Sequence, residues 1–186
     1  MPTSGSDGDR CHREVPRHVA VVLGRDARPS TVRDFYVWCD ELGVQTATVC
    51  LPDTADRGVY TEAVADLEPP VRVVEGDRDG RDEGADRRVL SYLGGREEIV
   101  DAFRRLARDV EKGDLSSEEV DADTVAERLV VPGEPDLLIE VSEFVLSDVL
   151  VWQTVYSELC YVDELHKDAL RRCIEDYRER DRRYGR

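Results

Sequence analysis

Lysine is almost missing from this chain. Lys112 and Lys167 are the only two, so nearly all of its 26 basic residues are arginine, set against 42 aspartates and glutamates for a net charge of −16. A field of that sign repels phosphate backbones and anionic headgroups unless molar salt screens it to a Debye length of about 3 Å. Nucleic acid is therefore excluded as an expected partner, and membrane contact is at most peripheral. An acidic surface so poor in lysine predicts a halophilic protein kept soluble in a salt-rich cytosol. Long apolar runs are missing too: none approaches the ~18 residues of a membrane span, and the polar stretch 1–17 has no hydrophobic centre. Neither a membrane span nor a signal peptide is expected, and the predicted location is cytoplasmic. The five cysteines, at 11, 39, 50, 160 and 173, form no C-x-x-C pair and leave an odd thiol. They are expected to be reduced, buried and small, with no disulfide framework and no zinc site. No internal repeat is present.

What is there suits one folded domain: 186 residues, 40% hydrophobic and 37% charged. Residues 1–14, rich in Gly, Ser, Asp and Arg, read as a disordered tail, and 15–186 as the domain. His18-Val19-Ala20-Val21-Val22-Leu23 is a continuous apolar run stopped by Gly24, as expected of a strand buried on both faces of a parallel sheet. Similar runs lie at 45–51, 71–75 and 136–141. Helical periodicity covers 30–42, 96–113, 117–129, 147–159 and 167–184, with Ile99, Phe103, Leu106 and Val110 on one face of the second. One short helix is expected between Asp56 and Val71, and 77–88 reads as a solvated charged loop. The alternation predicts an α/β fold: a single parallel-type sheet with helices on both faces.

Five segments carry a resemblance. His18 to Leu23 is similar to HVAIIM; Trp38-Cys39-Asp40-Glu41-Leu42-Gly43-Val44 to WCxELGI; Tyr92-Leu93-Gly94-Gly95-Arg96-Glu97-Glu98-Ile99-Val100 to NYGGRxEIV with one inserted leucine. Pro135 to Leu159 resembles PDLLIRTxGExRLSNFLLWQxAYSEL, and Arg183-Tyr184-Gly185 the C-terminal RxG motif. In this order they resemble the cis-prenyltransferases, the family of undecaprenyl diphosphate synthase, and imply a cis-prenyltransferase-like fold, isoprenoid diphosphates as ligands and Mg2+ as cofactor.

The resemblance also locates a damaged site. The family's DGNGRW loop begins with an aspartate that organises magnesium and diphosphate; here Gly24-Arg25-Asp26-Ala27-Arg28-Pro29 places glycine there. Asp26 is the one candidate catalytic carboxylate left, two residues out of place. Arg28, with Arg25, matches a phosphate contact at the start of the following helix. Glu140 and Val145 replace the two arginines that hold the diphosphate of isopentenyl diphosphate, and one residue is deleted between Ser142 and Glu143. Ser147 keeps the substrate-binding serine or else caps the helix expected to follow. Glu158 matches the metal-associated glutamate of YSEL, or else is a charged group near a dimer contact. Arg183 and Gly185 match a motif that, in the two-subunit enzymes, a non-catalytic partner of the Nogo-B receptor type supplies across the interface.

Three readings follow. In the first, the chain is a pseudoenzyme subunit that pairs, through the 147–159 helix, with a catalytic homologue making the polyprenyl diphosphate precursor of a lipid glycan carrier. In the second, it is an active short polyprenyl diphosphate synthase using Asp26, Arg28, Ser147 and Glu158, condensing isopentenyl diphosphate with an allylic diphosphate. In the third, it is a homodimeric scaffold or ligand-binding protein outside isoprenoid chemistry.

Overall fold

The run His18–Val22 forms β1, whose five residues are all buried because sheet neighbours flank both edges and packed side chains cover both faces. The computed structural model describes residues 14–52, 54–74, 87–92, 94–131, 133–141 and 148–179. Around β1 stand β2 (Thr46–Cys50), β3 (Arg72–Val74), β4 (Arg88–Ser91), β5 (Leu137–Val141) and β6 (Glu158–Val162). Among the described residues they make one six-stranded sheet, ordered β3-β4-β2-β1-β5-β6, with every pairing parallel. The helices are α1 (Pro29–Glu41), α2 (Arg57–Val64), α3 (Gly95–Lys112), α4 (Ala122–Arg128) and α5 (Lys167–Glu179).

Alternation along the strands divides the core. Val19, Val21, Val49, Leu90, Leu137 and Ile139 face α1, α2 and α5, which bury Phe35, Tyr36, Tyr60, Leu170 and Ile174 against them. Each such side chain contributes roughly 1.5–3 kcal/mol when covered. The opposite face, with Ala20, Val22, Cys50, Val74, Val89 and Leu138, is covered by Val130, Val131 and Leu150, and α3 and α4 pack together on that side. Helix α3 ends where periodicity predicts, because Gly113 takes φ 79 and the Asp114 amide turns back to the Asp109 carbonyl. The parallel sheet with helices on both faces is thus as expected.

Several elements differ from the sequence reading. No helix runs through the described part of 147–159: residues 148–156 are turns, Leu150 has φ 52, and β6 begins at Glu158. The β-branched residues Val149, Val151, Thr154 and Val155 disfavour a helix, and pairing with β5 draws the following residues into an edge strand. The helix expected over 117–129 is a 3-10 turn, Ser117–Glu119, then α4, whose start is fixed by an Asp121–Thr124 capping box. Strands β4 and β6 were not expected. Arg88, placed by sequence in a solvated loop, is 3% exposed in β4, paired with Asp40 and donating to the Pro69 carbonyl at 2.7 Å. The rest of that loop, 77–86, lies outside the described residues, as do Cys11 and the tail up to residue 13.

The cysteine expectation is corrected in part. Cys160 and Cys173 are joined as a disulfide, because β6 and α5 bring their Cα atoms to 5.9 Å across a separation of 13 residues. No spacing motif marks such a pair. Cys39 and Cys50 are free and buried, as expected.

Candidate functional site at the carboxyl end of the sheet

The chain turns one way from β1 to β2 and the other way to reach β5, so the crevice above the carboxyl ends of β1 and β5 is the switch point where open α/β sheets bind ligands. Its rim carries arginines beside the carboxylates of Asp26 and Asp56. Arg25 and Arg28 lie in the exposed loop after β1, and Arg28 is the first boundary residue of α1, whose amino end has no side-chain cap. Tyr60 holds this loop against α2, its hydroxyl donating to the Ala27 carbonyl at 2.6 Å and reaching the Arg25 carbonyl at 3.3 Å. Burial, then the charges of Asp26 and Asp56, raise the Tyr60 hydroxyl above its ordinary pKa, so it stays a donor. One turn back, Arg57 stacks over the Tyr92 ring at 5.5 Å, and the Tyr92 hydroxyl reaches the Arg57 carbonyl at 3.3 Å. Arg57, Tyr60 and Tyr92 escaped the sequence reading of the site. Tyr92 lay within a family-like segment, but nothing in the local sequence marked Arg57.

The floor carries the opposite sign. Register puts Val74, Ser91, Cys50, Val22, Glu140 and Tyr161 in one row across the sheet. Glu140 is 2% exposed. Beside it stands Glu98, from the first turns of α3, whose Oε1 accepts from the Val130 and Val131 amides at 2.8 Å each. Its Oε2 accepts from Gln153 Nε2 at 3.1 Å. Burial raises the Glu98 carboxyl above the usual range despite these donors. The Cys50 thiol is pushed up by burial first and then by the charges of Glu98 and Glu140, which places both carboxylates around that thiol.

The predicted residues do not converge. Asp26 is exposed beyond the end of β1. Glu158 sits at the opposite end of the sheet, level with Leu137 and Val19. From that row to Val22 is about 10 Å along the strands at ~3.3 Å per residue, and Asp26 lies further on. The two carboxylates therefore cannot share an ion within one chain. Members of the family generally use Mg2+, but Gly24 supplies no ligand, and among the described residues no three His, Cys, Asp or Glu are grouped to hold a metal. The described residues therefore do not fit that ion. Ser147, Arg183 and Gly185, with Val145, lie outside the described residues.

An open, all-parallel sheet with helices on both faces and arginines near its switch point defines an open α/β protein, and comparison with known proteins narrows it. Residues 71–185 match the family model described as "Putative undecaprenyl diphosphate synthase", and the chain belongs to that family. It is 29% identical over 231 positions to the tritrans,polycis-undecaprenyl-diphosphate synthase (geranylgeranyl-diphosphate specific) of Pyrococcus horikoshii, covering 92% of this chain and 88% of that one. It is 31% identical over 234 positions to the short-chain Z-isoprenyl diphosphate synthase of Mycobacterium bovis, covering 93% and 89%. Both alignments have more positions than this chain has residues, so each relative carries segments that this chain lacks. The lavandulyl diphosphate synthase of Lavandula x intermedia, solved with dimethylallyl diphosphate, shares the fold with a TM-score of 0.72 at 21% identity, covering 92% of this chain and 99% of that one. A "probable undecaprenyl diphosphate synthase" of Campylobacter jejuni does so with a TM-score of 0.67 at 21% identity, over 94% and 100%.

Proposed function

We propose that this chain is a non-catalytic subunit of the cis-prenyltransferase family, supporting a catalytic homologue that makes the polyprenyl diphosphate precursor of a lipid glycan carrier. The observation that carries this reading is Glu140. A carboxylate 2% exposed at the end of β5 stands where the resemblance requires an arginine for diphosphate. Two like charges ~4 Å apart repel by about 4 kcal/mol at an effective dielectric near 20. The homologues supply the family function; the supporting role is drawn from the lost Gly24 and Glu140 contacts.

A partner has a surface to cover. Val151, Val155 and Tyr156, in the turns after Asp148, and Val100 and Phe103 of α3 are exposed by 44–69% on a chain otherwise rich in charge. Gly95 of α3 packs directly on Val151, which makes the two stretches neighbours. The tail, with Arg183 and Gly185, completes the partner's diphosphate site in this proposal, and the complex works in a salt-rich cytoplasm. A second reading, an active short polyprenyl diphosphate synthase, draws on the Arg25, Arg28 and Arg57 rim beside Asp26.

Affinity purification of the tagged full chain from its own cells in molar salt tests the first reading. Stoichiometric recovery of a full-length homologue is expected. A monomer that brings down no homologue overturns the subunit role.

A further inference from the structure

We propose that Cys160 and Cys173 are a reversible redox clamp that fixes the C-terminal helix α5 to the edge of the sheet. The inference does not depend on the subunit role. Cys173 lies on the buried face of α5 between Leu170 and Ile174, 2% exposed. Cys160 lies on β6, level with Ile139, on the sheet face that α5 covers. A Cα separation of 5.9 Å suits either a disulfide or two packed thiols, so the change of state needs no rearrangement of the strand.

Position makes the pair the responsive one. The other described cysteines, Cys39 and Cys50, are each 1% exposed, and burial pushes both thiols up, so neither supplies a thiolate. Cys160 is only half-buried, on the strand that ends the sheet among the described residues, and is the sulfur a small thiolate attacks first. That attack forms a mixed disulfide and releases Cys173 as a thiolate, which takes a proton. A second small thiol then displaces Cys160. In sum, one protein disulfide and two low-molecular-weight thiols become two protein thiols and one low-molecular-weight disulfide, and the reverse reaction closes the clamp.

The clamp acts locally. Helix α5 follows a short turn at 163–166, and its apolar face and a Lys167–Glu41 ion pair also hold it. Opening the bridge should therefore loosen α5 and leave the central strands alone.

The full chain, equilibrated with excess oxidised glutathione or with a dithiol reductant, tests this by peptide mass mapping and amide hydrogen exchange. Expected are a 160–173 bridge in the first condition and two alkylatable thiols there in the second. Amides of α5 should exchange roughly ten- to a hundred-fold faster when reduced, while β1, β2 and α1 stay unchanged. Cys160→Ser should show the fast α5 exchange in both conditions. Failure to bridge 160 with 173, equal α5 exchange in both states, or faster exchange throughout the sheet on reduction would each overturn the proposal, the last by making the bond a staple of the whole fold.

Discussion

The buried carboxylate of Glu98 accepts a hydrogen bond from Gln153 Nε2 at 3.1 Å while also holding the amides of Val130 and Val131. One side chain of α3 thereby fastens the segment leading into β5 to the turns leading into β6, across the carboxyl ends of the strands. Glu98→Ala leaves the Val130 and Val131 amides without this acceptor and Gln153 Nε2 with a 3.4 Å contact to the Val131 carbonyl, and at about 1–3 kcal/mol for each unsatisfied group the loss should reach several kcal/mol. Glu98→Gln keeps one acceptor oxygen and should cost less. Urea denaturation of both variants checks the order, and equal stability of Glu98→Ala and the parent chain would show that the knot holds nothing.

A second contact of α3 locks the turns that lead into β6. A Cβ at Gly95 would stand 2.6 Å from the Asp148 carbonyl oxygen and 2.9 Å from the Val151 amide nitrogen, and backbone cannot yield as a flexible side chain can. Gly95→Ala should therefore destabilise the chain by about 1–3 kcal/mol or more. Gly58 of α2 is the control: its added methyl would meet nothing nearer than 3.5 Å. Gly58→Ala should be neutral or stabilising by up to ~1 kcal/mol in the same thermal melts.

Acid should reveal His18. Burial lowers its pKa from 6.5 to about 4 against the smaller opposing effect of the Asp136 charge, and its Nε2 lies 2.9 Å from Thr48 Oγ1. Between those values the unfolded chain binds the proton and the folded one does not, so stability is intact above pH 6.5 and falls as the pH drops towards 4. The full loss is roughly 3 kcal/mol at 1.36 kcal/mol per pKa unit. Glu98, raised by burial, works in the opposite sense, losing stability as the pH rises through its folded pKa. The difference between parent and His18→Gln unfolding curves isolates the histidine, and a difference independent of pH would contradict its neutral burial.

In the proposed complex with a catalytic homologue, Arg183→Ala should leave assembly intact and lower kcat/KM by roughly ten- to a hundred-fold, the worth of a charge-assisted phosphate contact of about 1.5–3 kcal/mol. Gly185→Ala should be nearly as harmful. Steady-state kinetics at saturating partner, with sedimentation to confirm assembly, measures both, and full activity in either variant would reduce the tail to a frayed helix end.

The fold was legible wherever burial on both faces left an unbroken apolar run, as in β1, β2 and β5, or where a long helix kept one apolar stripe, as in α3. It was illegible where the signal was short or mixed. Strand β4, Arg88 to Ser91, opens with a charge that becomes buried only because Asp40 and the Pro69 carbonyl meet it. Among the described residues β6 is an edge strand whose residues are only partly covered, so Glu158 and Leu159 read equally well as the end of a helix. The site divides the same way. The loop carrying Arg25 and Arg28 was singled out by its resemblance to the family's loop after the first strand, whereas Arg57 meets Tyr92 from elements that only the tertiary fold brings together. For Glu158 the motif letter alone did not show which end of the sheet it occupies.

The most direct test of the non-catalytic reading is prenyl transfer by the isolated chain, incubated in molar salt with farnesyl diphosphate, labelled isopentenyl diphosphate and magnesium. With Gly24 at the end of β1 and Glu140 buried at the end of β5, no labelled product should form. Magnesium-dependent turnover that Asp26→Ala abolishes would contradict this account and establish the chain as an active short-chain enzyme.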